Sequence, residues 1–410
     1  MKPVILLLST YSYTEPRHGG QVRLANIAKT YQDEGFLVEN IAIYDDGGNN
    51  SATADNRDIA FPSTSPYRKY KGIEAIYAND FLSGLYASEK NGGFLKVINN
   101  LPKKIDAIHV EQPWLWDLAT KIKKFEAYRN TLLIYGSQNI EAPLKREIFN
   151  NLNYRYADEL VLAISALEKR AALEADLVIA VTQSDHDKMA SWGATNIIIS
   201  MNGIASWKAS DKALSRWKSL LPKSPWLLYV ASGHPPNYID VATALGGSLA
   251  CIPPDSKLVI AGSVGSFIYK EFENTDFSCI NLSKLQVLNE LSDDNLAAVK
   301  SLAHGFLLPI TQGGGSNIKT AEALYSGAYV IGSEIAFRGY EEFSQLPEVT
   351  IAKSPEEFHH AIKKVLDQNS FQNTIDKKQQ DFRKSLLWQE TLANMATLAR
   401  ALVIKRNVSV

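Results

Sequence analysis

Lys319 and Glu322 stand three residues apart, just behind Gly313-Gly314-Gly315 and Ser316-Asn317. On a helix that spacing puts the ammonium and the carboxylate on one face. The glycines let the backbone come close to a ligand. The free N–H groups and dipole of a helix starting at Ser316 favour an anion, typically a phosphate. Ile318, Ala321 and Leu324, spaced three apart, supply its apolar side. A cation and a carboxylate beside a phosphate cradle suit a nucleoside diphosphate with its ribose hydroxyls. Residues 313–320 also come within one position of the P-loop pattern G-x-x-x-x-G-K-[ST]. That position holds Ile318, whose β-branch resists wrapping a phosphate where glycine is needed. A glycine-rich turn with no ligand is the plain alternative.

Such a site needs a strand ahead of the glycines, and the apolar run 306–310 reads as a buried strand of a parallel sheet. The same alternation fills the chain. Strands are expected at 4–9, 36–44, 106–110, 131–135, 177–182, 226–231 and 257–261, with helical patterns between them. This is an α/β protein with parallel sheets. Ligands in such sheets bind beyond the C-terminal strand ends, which makes Glu111, closing the strand at 106–110, a candidate acid–base residue. His109 is read as satisfying a local hydrogen bond. Asp45-Asp46 runs into Gly47-Gly48-Asn49-Asn50 and reads as a solvated turn rather than a metal site.

At 410 residues two or three domains are expected. A Ser/Lys/Trp-rich stretch at 205–225 reads as the linker. The tail, with Trp388, Leu392, Met395, Leu398 and Leu402 at helical spacing, reads as one amphipathic helix over 382–402. A net charge of −1 gives no support for a nucleic-acid partner. Basic residues do cluster locally, at 67–71, Lys103-Lys104 and Lys121-Lys123-Lys124, where solvated charge or a membrane-surface contact are the two readings. Two cysteines exclude a disulfide scaffold and point to a reducing cytoplasm. The apolar start is too short for a signal peptide, and no run is long enough to span a bilayer.

Residues 313–327 (GGGSNIKTAEALYSG) followed by Ala328-Tyr329-Val330-Ile331-Gly332-Ser333 resemble the donor-site motif of GT-B glycosyltransferases, in particular the large retaining family-four group. The resemblance covers nearly the whole chain. It includes His18-Gly19-Gly20-Gln21-Val22-Arg23, the Ala175-Asp176 strand, Met201-Asn202-Gly203 and Ser232-Gly233-His234-Pro235-Pro236-Asn237. It implies two Rossmann-like domains with parallel sheets facing across a cleft: an acceptor-side domain at 1–205, a donor domain at 206–381, and a C-terminal helix at 382–410 returning to the first. It further implies transfer of a sugar from a nucleoside-diphosphate sugar to an acceptor hydroxyl, retaining, in glycan or polysaccharide biosynthesis. Lys319 and the helix-end amides, where other folds put carboxylates and a divalent ion, and the lack of an Asp-x-Asp pair at a strand end point to metal-independent catalysis. No cofactor is implied. Lys319 would act on the diphosphate and Glu322 on the ribose, with Gly19, Gly20, Gly233, Asn237, Gly314, Gly315, Ser316 and Asn317 binding the donor. The acceptor would be a glycan, a lipid-linked or another hydroxyl, with peripheral contact at the inner membrane face. Three positions depart from the family. Glu111 and Gln138 replace histidines, and Gly314 stands where relatives carry a first glutamate, so inversion with Glu111 as base stays open. A GT-B nucleotide-sugar 2-epimerase and a noncatalytic nucleotide-sugar binder are the alternatives.

Overall fold

The computed structural model describes residues 2–16, 18–47, 55–311 and 316–408. The chain divides into two compact units, one of residues 1–202 and 388–410, the other of residues 203–387.

In the first unit, β1 (Val4–Ser9), β2 (Leu37–Asp45) and β3 (Ile59–Phe61) are followed by a small hairpin of β4 (Lys69–Tyr70) and β5 (Ile73–Glu74). Then come β6 (Ala107–Glu111), β7 (Leu132–Gly136), β8 (Leu177–Ala180) and β9 (Ile197–Ile199). Seven of these form one sheet in the order β3-β2-β1-β6-β7-β8-β9, and its pairings are parallel. All six residues of β1 and all five of β6 and of β7 are buried. Continuous apolar runs are what a sheet covered by helices on both faces requires.

The second unit repeats the plan. β10 (Leu227–Val230), β11 (Leu258–Ala261), β12 (Leu285–Asn289), β13 (Gly305–Leu308), β14 (Tyr329–Gly332) and β15 (Val349–Ile351) lie in the order β12-β11-β10-β13-β14-β15, all parallel. In each unit the strand order reverses once, between β1 and β6 and between β10 and β13. Two loops diverge at such a point and leave a crevice beyond the strand ends. Residues after β1, β6, β10 and β13 are therefore placed to meet a ligand.

Two sequence expectations shift. The units change at Asn202/Gly203 and Leu387/Trp388, not after 205 and 381. Ile204 N–H donates to the Leu386 carbonyl at 2.9 Å and Ile204 bridges Leu387, so both passing segments belong to the second unit. That bridge also breaks the tail: three helices, Lys377–Lys384, Trp388–Thr391 and Ala393–Val408, replace the one expected. Trp388, Leu392 and Met395 are buried as the spacing demanded.

The last helix is tied into the first unit by Arg406. Its Nη2 and Nη1 meet Asp176 Oδ1 at 2.8 Å and Oδ2 at 3.2 Å, and Nη1 also donates to the Thr131 carbonyl at 3.2 Å. Asp176 Oδ2 in turn accepts from Leu133 N–H at 2.8 Å, so the pair is a two-pronged clasp onto the sheet. Arg406→Met is expected to cost about 1 kcal/mol, the upper range for a half-exposed pair, read as a lower urea midpoint for the first unit.

Candidate functional site

In the second unit the site grows from the β10/β13 crevice. After β13, Thr311 is pinned by Asp240: its N–H and Oγ1–H donate to the two carboxylate oxygens at 3.1 and 2.5 Å. Asp240 is buried on the helix Pro235–Ala244. Gly314 and Gly315 lie outside the described residues. The chain resumes at Ser316, buried, and Asn317, which caps the helix Ile318–Ser326 by accepting from Lys319 N–H at 3.1 Å. The helix thus begins two residues later than Ser316, because Asn317 accepts the first orphan N–H from an extended backbone.

Lys319 points back into the crevice. Its Nζ donates to Asn237 Oδ1 at 2.6 Å and lies 5.7 Å from the centre of the Tyr229 ring. Asn237 is held in turn. Its Nδ2 donates to the Ser232 carbonyl at 2.9 Å, and its own carbonyl accepts from Tyr229 O–H at 2.8 Å. Gly233 N–H donates to Ser263 Oγ at 2.9 Å. Burial lowers the Lys319 pKa to about 8, opposed by the nearby charges of Asp240 and Glu322. Lys319, Asn237 and Gly233, expected from distant stretches of sequence, are brought to one crevice.

Glu322 is a quarter exposed and is bound by Lys300, whose Nζ lies 2.5 Å from Oε1. Lys300 itself is almost covered, with its ammonium 4.9 Å from the Trp207 ring. Neither Asp240 nor Lys300 was legible as a site residue. Each sits in an ordinary amphipathic helix pattern, and only packing turns it inward.

In the first unit the helix Gly19–Asp33 starts at the β1/β6 crevice, with His18 at its N-cap. Gly20 leaves room there for the Tyr11 side chain, since a Cβ would stand 2.7 Å from Tyr11 Oη. Glu111 is fully buried. Its Oε1 accepts from Arg23 Nε at 3.1 Å and from Gln138 Nε2 at 3.1 Å, while Oε2 meets His109 Nε2 at 2.8 Å. His109 Nδ1 meets Tyr31 Oη at 2.9 Å. Burial pushes the Glu111 pKa up, but the His109 hydrogen bond and the Arg23 charge outweigh it, and the net shift is downward. Arg23, buried too, donates through Nη1 to the Ser200 carbonyl and to Asn202 Oδ1, both at 3.1 Å. Glu111 is thus an anionic hub with both oxygens engaged. Gln138, in place of the family's histidine, also donates to Tyr11 Oη at 2.6 Å.

Next to the hub, Gln112 has φ 63° and donates to Glu141 Oε1 at 3.0 Å. Burial pushes the pKa of Glu141 up to about 7 and that of Glu168 up to about 8. Glu168 takes the Glu141 and Ala142 N–H groups at the start of the helix Glu141–Asn151.

Among the described residues no group of three or more His, Cys, Asp or Glu could hold a metal ion, and no helix is long and apolar enough to cross a membrane.

No protein-family model matches the sequence, and no curated protein matches it either. Solved structures do. Sucrose-phosphate synthase from Thermosynechococcus elongatus superposes with a TM-score of 0.71 at 17% identity, covering 98% of this chain and 100% of that one. The chain has the GT-B glycosyltransferase fold. HepE of Anabaena, solved with UDP and glucose, gives 0.64 at 17% identity over 97% of this chain and 99% of that one. The catalytic domain of Arabidopsis thaliana starch synthase IV, bound to ADP and acarbose, gives 0.63 at 13% over 99% of both.

The Lys319 environment has a pH signature. The ordinary lysine value of 10.5 applies when the chain unfolds, against about 8 when folded. Between these values the unfolded chain binds more protons, so stability rises with pH across that window. Urea titrations from pH 7.5 to 10 are expected to show that rise in the wild type and a flatter profile in Lys319→Met.

Proposed function

We propose that this protein transfers a sugar from a nucleoside-diphosphate sugar to an acceptor hydroxyl of a glycan, without a metal ion and with retention. The observation that carries the reading is a desolvated lysine ammonium at the start of the helix after the glycine loop, held at the crevice of the second unit. The GT-B fold, shared with structures solved with UDP or ADP, supports a nucleotide as the donor's leaving part.

In this reading the bond from the anomeric carbon to the diphosphate oxygen breaks, and its electron pair leaves with the diphosphate. Lys319 and the helix-end N–H groups after Gly314, Gly315 and Ser316 stabilise that growing charge. Asn237 holds the ammonium until the diphosphate takes over. Glu322 accepts from the ribose hydroxyls, with Lys300 orienting its carboxylate. The acceptor oxygen bonds to the anomeric carbon on the face the diphosphate leaves, and its proton passes to the leaving phosphate oxygen, so no enzymic base is needed. An inverting route through Glu111 would require a carboxylate freed from Arg23, His109 and Gln138. Gly19 and Gly20 occupy the equivalent crevice of the first unit. Peripheral contact with a membrane would follow if the acceptor is lipid-linked.

Lys319→Ala is expected to lower single-turnover rate on the order of a hundredfold, as for loss of one electrostatic stabiliser. Glu322→Gln, which keeps a carbonyl for Lys300, is expected to weaken UDP or ADP binding by roughly 1.5–3 kcal/mol, the value of a charged hydrogen bond. It should also erase the preference for the ribonucleotide over its 2′-deoxy form. Two folded variants with wild-type binding and turnover would remove the donor from this helix. Turnover that a chelator abolishes and Mg²⁺ or Mn²⁺ restores would overturn metal independence. Conversion of the donor to its 2-epimer without an acceptor would make the protein an epimerase.

A further inference from the structure

At the opposite end of the helix that carries Lys319, the second unit has an open cavity of about 420 Å³. Its walls include Trp207, Tyr325, Gln372, Gln380, Arg383 and Lys384, and among the described residues no carboxylate lines it. Tyr325 is six residues beyond Lys319, about 9 Å along the helix axis, so the cavity is distinct from the Asn237–Lys319 crevice. We propose that this cavity is a second binding site, for a sugar that carries an acidic group.

The chemistry of the walls gives the class. Trp207 and Tyr325 meet edge to face, ring centres 4.9 Å apart at 66°, and both are only partly covered. Aromatic faces carry partial negative charge and suit the C–H face of a pyranose ring. Hydrogen-bonding groups surround them. Gln372 Nε2 already donates to the Ser326 carbonyl at 3.2 Å, which leaves its oxygen to accept from a hydroxyl. Gln380 is exposed and offers both an acceptor and two donors. A few polar groups around an apolar floor is the usual make-up of a small-molecule site.

The cations give the charge. Arg383 is 3% exposed and is paired with Glu348, and its Nη1 donates to the Gln379 carbonyl at 2.9 Å. Its Nε has no hydrogen-bond partner and neither has Oε2 of Glu348, so this buried pair is incompletely satisfied but neutral, and the mobile charge at the cavity is that of Lys384. Lys384 binds Asp381 at 2.7 Å, but both side chains are more than half exposed. A pair of that kind contributes little, so the ammonium is free to turn to a carboxylate or phosphate on the sugar.

The cavity also touches the donor helix through one residue. Lys300 rests on the Trp207 ring and binds Glu322. A ligand seated on Trp207 would therefore reach the group proposed to hold the ribose, a consequence that rests on the function proposed above while the site itself does not.

The test uses the full chain with UDP at saturation, so that the donor crevice is filled, and ligand-observed NMR for sugar binding. Glucuronic acid and glucose 6-phosphate are expected to bind, with glucose weaker by roughly fivefold or more, the scale of one charge-assisted contact. Trp207→Ala and Tyr325→Ala should each weaken binding by about tenfold, the loss of an aromatic platform. Gln380→Ala and Lys384→Met, both at exposed positions, give the same reading without disturbing the core, and Lys384→Met should bring the acidic sugars down to the level of glucose. Preference for glucose 6-phosphate would assign a free sugar phosphate, and preference for glucuronic acid a uronate of a glycan. Inorganic phosphate binding as well as the sugars, sugar binding that is seen only when UDP is left out, or unchanged binding in folded Trp207 and Lys384 variants would each overturn the site. None of these results depends on glycosyl transfer, so the site and the proposed activity can fail separately.

Discussion

A lysine ammonium kept largely out of water is the constraint around which the second unit's crevice is built. An unpaired buried cation costs several kcal/mol, and the structure offsets this in part without neutralising it. Asn237 Oδ1 accepts from Lys319, the Tyr229 ring faces it, and two carboxylates stand near enough to be felt. Neither acid is spent on the lysine. Asp240 is occupied by Thr311, and Glu322 by Lys300. The result is a cation held by a neutral amide, a partner that an incoming anion can displace at small cost. A full salt bridge would have stabilised the empty protein more and opposed binding.

The first unit solves the reverse problem, a buried anion, by engaging both carboxylate oxygens, while one nitrogen of the partner guanidinium, Arg23 Nη2, has no hydrogen-bond partner. Arg23, Gln138 and His109 all converge on Glu111, and Tyr31 holds the far nitrogen of His109. The space is made by Gly136 on the neighbouring strand, where a side chain would run into Glu111 and His109. Because Arg23 also reaches Ser200 and Asn202, the hub joins the first helix to the end of the last strand. The hub lies under the helix that begins at Gly19, and the strained backbone of Gln112 follows it directly.

Both crevices follow from one topological fact. Each parallel sheet reverses its strand order once, so two consecutive βα loops part over the C-terminal strand ends. Glu111 closes β6 and Lys319 lies on the helix that follows β13, each beside the point where its sheet reverses. Duplication of the plan puts an anionic hub in one unit and a cationic cradle in the other.

The sequence by itself determined the α/β class, most strand positions and the helix bearing Lys319 and Glu322. Apolar runs such as 4–9 and 306–310 can be buried in only a few ways, and a glycine stretch before a helix is a local signal. The start of that helix shifted by two residues, because the side-chain cap at Asn317 is settled by backbone geometry. Tertiary structure alone decided which residues stand together. Asn237 and Lys319 are far apart in the chain, as are Lys300 and Glu322, and no periodicity links them. It also decided what Glu111 touches. A strand-end acid reads the same in sequence whether it faces solvent or Arg23, since burial and partners come from the neighbouring strands and helix rather than from local spacing.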